Sequence, residues 1–374
     1  MMRAHEAGAL HAEAGGRGPT WLQPPDDTND LVTSLWSKHV SRDANGVLDV
    51  AGVTATELAK EFGTPAYVID EDDFRARARR FRDAFAGADV YYAGKAFLSV
   101  ASVGWIAEEG LFLDVCSGGE LAVALRAGFD PARIGFHGNN KSDAELRRAV
   151  GVGVGRVVID SFAEITRLGR VAEDHGVRQS VLVRVTAGVE AHTHEYIATA
   201  HEDQKFGLSI TDGAAFDAME MVESDAALQL VGLHSHIGSQ IFDTSGFEVA
   251  TRRVLGLYAR GLEAGFALGE LDLGGGFGIA YTTQDDPAEP DELARNLTEI
   301  VAHECRALGI GVPHLSVEPG RAVAGPSTFT LYEVGTVKEV ALDAGASRLY
   351  VAVDGGMSDN IRAALYDADF SCTL

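Results

Sequence analysis

The sequence has few cysteines, few basic residues and no long run of apolar residues. Its three cysteines, Cys116, Cys305 and Cys372, lie far apart along 374 residues, so neither a disulfide framework nor a zinc motif is predicted. Only 31 basic residues stand against 55 acidic ones, and the net charge of −24 argues against nucleic acid or an anionic membrane surface as a partner. No apolar window reaches the length of a membrane span, so no membrane partner is expected.

The N-terminus also lacks the apolar segment of a secretory signal peptide, since residues 1–25 are rich in Gly, Ala and His. We interpret residues 1–30 as a flexible lead-in and expect a cytoplasmic location. The chain as a whole is 46% hydrophobic, which is enough for one large domain and a smaller one.

Short apolar runs alternate with longer amphipathic stretches through most of the chain, a pattern typical of strand–helix units and a parallel sheet. The predicted strands are Val90–Ala93, Leu111–Val115, Ile134–His137, Val157–Asp160, Val181–Val185, Leu230–Ile237, Leu271–Leu273 and Leu315–Glu318. Eight such units predict a (β/α)8 barrel over residues 66–325, near the usual size of about 250 residues. A doubly wound α/β sheet is the alternative fold.

The segments that flank the barrel show a different pattern. Apolar and polar residues alternate with period two in Thr328–Val340 and Leu349–Val353, and less clearly in Val47–Val53 and Ala66–Ile69. Such alternation is typical of half-buried strands. We therefore predict a β-rich domain built from both termini, with residues 31–65 as its N-terminal part and linker and residues 326–374 as the start of its C-terminal part.

One lysine stands at the end of a predicted strand. In the run Asp89-Val-Tyr-Tyr-Ala-Gly-Lys-Ala-Phe97, the strand Val90–Ala93 is closely followed by Lys95. An ammonium group there is costly unless it is paired or used covalently. Desolvation lowers the pKa of a lysine and suits it to Schiff-base chemistry, so Lys95 is a candidate for covalent catalysis.

Two more segments follow predicted strands and could hold an anion. In Gly274-Gly-Gly-Phe-Gly278 the glycines allow backbone N–H groups to approach a phosphate, although a tight turn between strand and helix would use them equally well. In Glu318-Pro-Gly-Arg321 the carboxylate could keep a pyridine nitrogen protonated, and the guanidinium could clamp a phosphate or carboxylate. The alternatives are an ion pair between Glu318 and Arg321, or a solvated Glu318.

His234 and His236 are two apart on a predicted strand, so both face the same side. We interpret one imidazole as stacking on a planar ring, with Ser239 in the next turn donating to a phosphate. A metal site completed by His192, His194 and His201 is an alternative, but no cysteine or carboxylate spacing completes it, and no metal is expected. Both histidines could also be core residues with satisfied hydrogen bonds.

A lysine, phosphate donors, a carboxylate and a ring-packing surface are what pyridoxal phosphate requires of a protein. In the predicted barrel, all four lie at carboxyl ends of strands, the face on which barrel active sites are found. The sequence therefore predicts a pyridoxal 5'-phosphate site on that face.

These residues carry a resemblance to a known family. The chain resembles the diaminopimelate decarboxylase family, among the alanine-racemase-like (fold type III) pyridoxal phosphate enzymes. The matching segments are Tyr92–Phe97, Asp114–Glu120, Gly138–Ser142, Lys205–Gly207, His234–Gln240, Gly274–Gly278, Glu318–Arg321 and Ser358–Tyr366. The last of them points, within the family, to diaminopimelate as the substrate.

The resemblance implies decarboxylation of meso-2,6-diaminopimelate to L-lysine, the last step of lysine biosynthesis, by a homodimer. It implies that Lys95 holds the cofactor covalently and that His236 stacks on its ring. The residues implied in cofactor binding are Lys95, Asp114, His236, Ser239, Gly274, Gly275, Gly276, Glu318, Gly320 and Arg321. Arg321, Arg362 and Tyr366 are implied in binding the substrate.

The chain departs from the family pattern at its end. The family continues into a Cys-Glu-Ser-Gly-Asp segment, whose cysteine is the proton donor in the partner's site, and a later tyrosine near the phosphate; neither is present before Leu374. We therefore expect a C-terminally incomplete β domain and impaired turnover. The alternatives are another decarboxylase of the same fold type, acting on ornithine, arginine or carboxynorspermidine, or a non-catalytic cofactor-binding protein.

Overall fold

The computed structural model describes residues 31–188, 205–342, 347–366 and 368–374. The chain divides into two compact units. The first, here called the barrel unit, contains residues 71–279 and 287–326, and the second, the terminal unit, contains the described residues of 1–70, 280–286 and 327–374.

The barrel unit is a closed ring of eight parallel strands, numbered here from 1 to 8 in chain order. They are Asp89–Ala93, Phe112–Val115, Ile134–Phe136, Arg156–Ile159, Gln179–Thr186, Leu228–His234, Glu270–Asp272 and His314–Val317. Each pairs with the next in parallel, and barrel strand 8 pairs with barrel strand 1, with Ser316 opposite Asp89 and Val317 opposite Val90. The closure confirms the predicted (β/α)8 barrel and is incompatible with an open doubly wound sheet. A short strand, Leu208–Ser209, adds to barrel strand 5.

The barrel strands form because their apolar runs are buried on both faces, as parallel strands covered by helices must be. In barrel strand 4, Val157 and Ile159 are fully buried on one face, and Val158 on the other face is 2% exposed. In barrel strand 2, Leu113 and Val115 are buried on one face and Asp114 on the other. All eight predicted strands are present, with ends displaced by up to three residues from the predicted ones.

Helices fill the segments between the strands. The longer ones are Glu71–Ala84, Val100–Glu108, Gly118–Arg126, Asp143–Val152, Phe162–His175, Ala214–Glu223, Ser245–Glu263 and Pro290–Leu308. Their ends follow local sequence signals: Ser142 and Glu145 form a capping box at the start of Asp143–Val152, and Gly153 ends that helix in the left-handed conformation. No helix among the described residues is long and apolar enough to cross a membrane.

The terminal unit is made of antiparallel strands and two short helices, as the period-two pattern predicts. Its elements are Val40–Arg42, Leu48–Val50, Val53–Thr54, Ala55–Phe62, Ala66–Ile69, Thr328–Leu331, Val334–Ala341, Ser347–Val353 and Arg362–Tyr366. The first three strands form one sheet, Thr328–Leu331 pairs with Ala66–Ile69, and Val334–Ala341 pairs with Ser347–Val353. The β-rich unit therefore does combine segments from both ends of the chain.

One expectation about this unit is wrong in detail. The alternating stretch Thr328–Val340 contains two strands that pair with different partners, because alternation fixes which side chains share a face and not where a strand breaks. The hairpin of Val334–Ala341 and Ser347–Val353 is exposed on both faces rather than half-buried; Val337 and Tyr350, for example, are 52% and 53% exposed.

Candidate active site

The carboxyl ends of the barrel strands bring together the residues predicted to bind the cofactor. They are Lys95, Asp114, His236, Ser239, Gly274, Gly275, Gly276, Glu318, Gly320 and Arg321, all in the barrel unit. Arg362 and Tyr366, predicted to bind substrate, belong to the terminal unit. His192, His194 and His201 lie outside the described residues.

Lys95 lies in a single turn of 3-10 helix, Gly94–Ala96, directly after barrel strand 1. Its Nζ is 3.7 Å from Oδ2 of Asp114, which is fully buried on barrel strand 2. Gly94 allows this approach, because a Cβ there would lie 2.8 Å from the carbonyl oxygen of Asp114.

The pKa of Lys95 differs from the expectation of a lowered value. Desolvation of the ammonium lowers the pKa of Lys95, but attraction to the carboxyl groups of Asp114 and Glu318 outweighs this effect. The pKa is therefore raised above the ordinary value. In the cofactor-free protein Lys95 is therefore a paired ammonium. It must lose a proton before it can act as a nucleophile.

A second lysine on this side of the barrel is unsuited to covalent chemistry although burial lowers its pKa. Lys141 is 2% exposed, and its Nζ donates to the carbonyls of Gly138 and Val158 at 2.7 Å each and to Glu164 Oε1 at 2.6 Å. All three ammonium protons are thereby used. Lys95, whose nearest ion-pair partner is 3.7 Å away, is the freer amine of the two.

The carboxyl groups of Asp114, Asp272 and Glu318 are buried on this face. The pKa of Asp114 and that of Asp272 are raised to about 7 by burial and by repulsion from the Glu318 carboxylate. Burial also raises the pKa of Glu318. Asp272 was not predicted as a site residue. Its Oδ1 accepts a hydrogen bond of 2.7 Å from the N–H of Gly274, and so fixes the start of the glycine segment. The only sequence signal was an acidic residue between two leucines at a strand end.

Two buried histidines contact Glu318. His137, directly after barrel strand 3, places Nε2 at 3.2 Å from Glu318 Oε1, and His234, at the end of barrel strand 6, places Nε2 at 3.1 Å from the same oxygen. Their rings lie edge to face with centroids 5.0 Å apart. Burial lowers the pKa of both imidazoles, that of His234 to about 4, so both are neutral near pH 7. His137 was not predicted as a site residue.

These three residues form a different group from the metal alternative considered for the sequence. His137, His234 and Glu318 each offer one ligand atom, and the atoms lie within 4.8 Å of one another. Two imidazoles and a carboxylate are donors that zinc accepts. Glu318, however, is the same carboxylate that was predicted to hold the cofactor's ring nitrogen, so the two uses of this residue compete.

His236 and the glycine segment fix each other. The N–H of Gly275 donates to Nδ1 of His236 at 3.2 Å, which leaves the ring proton of the neutral imidazole on Nε2. Burial lowers the pKa of His236 well below its ordinary value. The imidazole is thus a neutral, oriented ring, as stacking on a planar group requires.

The glycine segment can be built only from glycine. Gly274 and Gly276 have φ values of 70° and 99°, in the region that disfavours other residues. A Cβ at Gly276 would lie 2.1 Å from the carbonyl oxygen of Gly238, and one at Gly275 would lie 2.1 Å from that of Glu318. The N–H groups of Gly274 and Gly275 donate to Asp272 and His236, so the N–H of Gly276 is the one of the three that the segment can present to an anion. Nearby, Arg321 Nη2 donates to Ser239 Oγ at 3.0 Å.

Arg184 is a further cation of the barrel unit that was not predicted as a site residue. On barrel strand 5, its Nε lies 3.8 Å from Asp160 Oδ2, and its guanidinium carbon lies 4.6 Å from the ring centroid of Phe206. Asp160 Oδ1 accepts from the N–H of Gly207 at 2.9 Å, which accounts for the Lys205-Phe-Gly207 motif. An arginine inside an apolar strand has no spacing signature, so the sequence alone gave no sign of it.

In the terminal unit, Arg362 and Tyr366 are neighbours on one short helix. The guanidinium carbon of Arg362 lies 5.2 Å from the ring centroid of Tyr366 and 5.8 Å from that of Tyr281. The buried Nε of Arg362 has no hydrogen-bond partner among the described residues. A guanidinium between two aromatic rings with an unused donor is suited to binding a carboxylate.

The residues of the barrel face fit pyridoxal phosphate. A strand-end lysine with few partners offers the amine, and the tightly packed glycine segment offers the backbone N–H of Gly276. Glu318, whose Oε1 has no hydrogen-bond partner of good geometry among the described residues, offers a buried acceptor. His236 offers a flat surface.

Comparisons with known proteins agree with this reading. The sequence profile described as "pyridoxal-dependent decarboxylase, pyridoxal binding domain" matches residues 71–325. Diaminopimelate decarboxylase of Mycobacterium leprae is 56% identical over 381 residues, covering 100% of this chain and 81% of the relative. Diaminopimelate decarboxylase of Bacillus subtilis is 46% identical over 331 residues, covering 87% of this chain and 74% of the relative.

Solved structures give the same result. The chain is similar to diaminopimelate decarboxylase from M. jannaschii in complex with L-lysine, with a TM-score of 0.81 and 30% identity over 89% of this chain and 77% of that one. It is also similar to the enzyme from Helicobacter pylori complexed with L-lysine, with a TM-score of 0.75 and 28% identity over 84% of this chain and 76% of that one. The chain therefore belongs to the pyridoxal-dependent decarboxylases and, within them, to the diaminopimelate decarboxylase family.

Proposed function

We propose that the barrel face around Lys95 carries out the reaction of this family, the pyridoxal phosphate-dependent decarboxylation of meso-2,6-diaminopimelate to L-lysine. The observation that carries the proposal is the pairing of Lys95 with the buried Asp114 at 3.7 Å, on the face that also holds Glu318 and the glycine segment. When bound, pyridoxal phosphate supplies an electron sink for the electron pair left behind as the α-carboxylate departs as carbon dioxide.

The protein's part is to hold the cofactor and to set its charge. Lys95 would hold the aldehyde carbon covalently, while Asp114 keeps the amine in place. Glu318 would accept a hydrogen bond from the ring nitrogen and favour its protonated form, which strengthens the electron sink. His236 would pack against the ring as a neutral imidazole.

The phosphate would be held by a second set of groups. Gly276 would offer a backbone N–H donor, on a turn that Gly274 and Gly275 shape through their own hydrogen bonds to Asp272 and His236. Ser239 offers a hydroxyl whose oxygen accepts from Arg321 at 3.0 Å. The Gly320 backbone would complete the turn, since a Cβ there would lie 2.8 Å from Cβ of Ala93 and push the turn away from barrel strand 1.

The substrate would be selected by its second carboxylate. Arg362 and Tyr366, with Arg321, are the groups that we propose for this role, because a planar guanidinium with a free donor binds a carboxylate with both charge and direction. Ornithine lacks this carboxylate and would leave the guanidinium unpaired.

We also infer that the functional form is a cytoplasmic homodimer. The support is the resemblance to a family in which a partner subunit completes the site. Light scattering of the purified protein measures the dimer directly, and a monomer that retains turnover would contradict it.

The function is tested by measuring lysine formation from meso-diaminopimelate and, in parallel, release of carbon dioxide from ornithine. We expect turnover of diaminopimelate alone, and an Arg362→Ala variant whose KM for it rises about tenfold or more while cofactor binding is unchanged. Arg295→Ala, on a helix of the barrel unit, is the matched control and should leave KM unchanged. A preference for ornithine, or an unchanged KM in Arg362→Ala, would contradict the proposed substrate.

A further inference from the structure

One oxygen of Glu318 is approached from two sides by histidines. Nε2 of His137 and Nε2 of His234 lie 3.2 Å and 3.1 Å from Oε1, and no pair of the three residues comes from the same barrel strand. The barrel closure therefore brings together a carboxylate and two imidazoles that are far apart in sequence: the shortest separation, from His234 to Glu318, is 84 residues. Both contacts fall on the same oxygen.

All three side chains are withdrawn from water. His137, His234 and Glu318 are 5%, 1% and 3% exposed. A buried polar group is costly unless it finds a partner, and neither nitrogen of His234 has a hydrogen-bond partner of good geometry among the described residues. Glu318 Oε1, at 3.1 Å, is the acceptor within reach of its Nε2.

The imidazoles are neutral at pH 7 because burial lowers the pKa of both. A neutral imidazole carries one N–H, and the tautomer protonated on Nε2 carries it on the nitrogen nearest to Glu318 Oε1. Each ring can thus donate one hydrogen bond to the carboxylate without adding a positive charge next to it.

We propose that His137 and His234 are positioning residues that act through Glu318: their contacts with Oε1 fix the orientation in which the carboxylate faces the ring nitrogen of the cofactor. The inference rests on the proposed role of Glu318. It assigns to the two histidines a part in setting the protonation of the cofactor, and not a direct contact with the substrate.

The reason for two donors is the charge around Glu318. The titratable and charged groups that act on it are Asp114, Asp272, Lys95, Arg184, His137 and His234. Burial raises the pKa of Glu318, and the buried carboxyl group of Asp114 disfavours a further negative charge, whereas a side-chain hydrogen bond with Asp272 lowers the pKa of Glu318. Hydrogen bonds to the ionised form oppose both effects. Cationic donors in place of the histidines would instead compete with the protonated ring nitrogen for the carboxylate.

The test follows the ring nitrogen itself. The protein is loaded with pyridoxal phosphate carrying 15N in the ring, and its 15N NMR shift at pH 7 reports whether that nitrogen is protonated. The dissociation constant of the cofactor is measured in parallel. The variants are His137→Phe and His234→Phe, which keep a planar ring without N–H, and His137→Gln and His234→Gln, which keep a donor. His175→Gln, in the helix Phe162–His175 and away from the strand ends, is the matched control.

We expect a protonated ring nitrogen in the unchanged protein, in His175→Gln and in the two Gln variants. The Phe variants should shift the signal toward the unprotonated value and weaken cofactor binding about tenfold. A Glu318→Gln protein has no carboxylate for the histidines to orient. In this background the same Phe substitutions should therefore change the dissociation constant of the cofactor less than about twofold, because the effects of coupled residues do not add. A merely structural role would give equal effects in both backgrounds.

Three results would overturn the inference. The first is a ring nitrogen that stays protonated in both Phe variants but loses its proton in Glu318→Gln. That result would refute the role of the histidines and leave the role of Glu318 intact. Another is additivity of the Phe and Glu318→Gln effects. The third is stoichiometric zinc in the cofactor-free protein that disappears in His137→Gln, which would assign the imidazoles to a cation. If a Phe variant does not fold, as seen by circular dichroism, His→Met at the same position removes the donor with a smaller side chain. A protonated signal in Glu318→Gln would instead refute the proposed role of Glu318.

Discussion

Nζ of Lys95 lies 3.7 Å from Oδ2 of Asp114, and the two side chains differ sharply in exposure: 52% for the lysine and none for the aspartate. The Asp114 side chain is enclosed in the barrel wall, whereas about half of the Lys95 side chain is exposed. This arrangement keeps the amine at the site as an ammonium before the cofactor arrives. Lys95 must therefore lose one proton before the cofactor can attach to it covalently.

The first prediction concerns this proton. Because the carboxyl groups of Asp114 and Glu318 raise the pKa of Lys95, Asp114→Asn should lower it and increase the fraction of neutral amine at any given pH. We expect the pH profile for the rate of cofactor attachment to the cofactor-free protein to move to lower pH by about one unit. Stopped-flow absorbance measures that rate. A profile that stays in place would show that Asp114 does not set the charge of Lys95.

The second prediction concerns stability and pH. Burial raises the pKa of Asp272 to about 7 in the folded protein, whereas an unfolded aspartate has a pKa of about 3.9. The folded state thus retains a proton that the unfolded state releases, so this contribution to stability is complete below about pH 4 and is lost as the pH rises to about 7.

Asp272→Asn should therefore flatten the fall in the free energy of unfolding of the cofactor-free protein across this range, by at most about 1.4 kcal/mol per pH unit. Urea denaturation at a series of pH values measures the slope. Asp212→Asn, at an exposed turn, serves as the control. An unchanged slope in Asp272→Asn would mean that this carboxyl group is ionised in the folded state across the range.

The third prediction concerns the glycine segment. In Gly276→Ala the new Cβ would meet the carbonyl oxygen of Gly238 at 2.1 Å, at a φ of 99°, so the backbone must shift. We expect the dissociation constant for pyridoxal phosphate to rise about tenfold or more, since the N–H groups lose their alignment. Gly311→Ala, where a Cβ has nothing within 4 Å, is the matched control. Equal cofactor affinity in both variants would remove the glycine segment from the phosphate site.

The barrel could be predicted from the sequence because each of its strands is a short apolar run with polar residues beyond its end. Strand ends were displaced because residues such as Arg156 and Gln179 extend the hydrogen-bonded ladder without extending the apolar run. The break in Thr328–Val340 was missed because the alternation continues across it, and only the choice of pairing partner reveals two strands.

The candidate site was predictable where chemistry requires an unusual residue at a strand end, as with Lys95, Glu318 and the glycines. His137, Arg184 and Asp272 were missed for a common reason. Each is a single polar residue in or beside an apolar run, and it interacts with residues of other barrel strands, which only the closed barrel brings together. The pKa of Lys95 was misjudged for the same reason, because the sequence does not show that Asp114 faces it.

The most direct test of the whole account is to find which lysine carries the cofactor. The protein is loaded with pyridoxal phosphate, reduced with borohydride and digested, and the modified peptide is identified by mass spectrometry. We expect the label on Lys95. A folded Lys95→Ala variant should carry no label and should lack the absorbance band of the covalently bound cofactor, whereas Lys60→Ala should behave as the unchanged protein. A label on Lys141, whose ammonium is held by three acceptors, or on any other lysine would contradict this expectation.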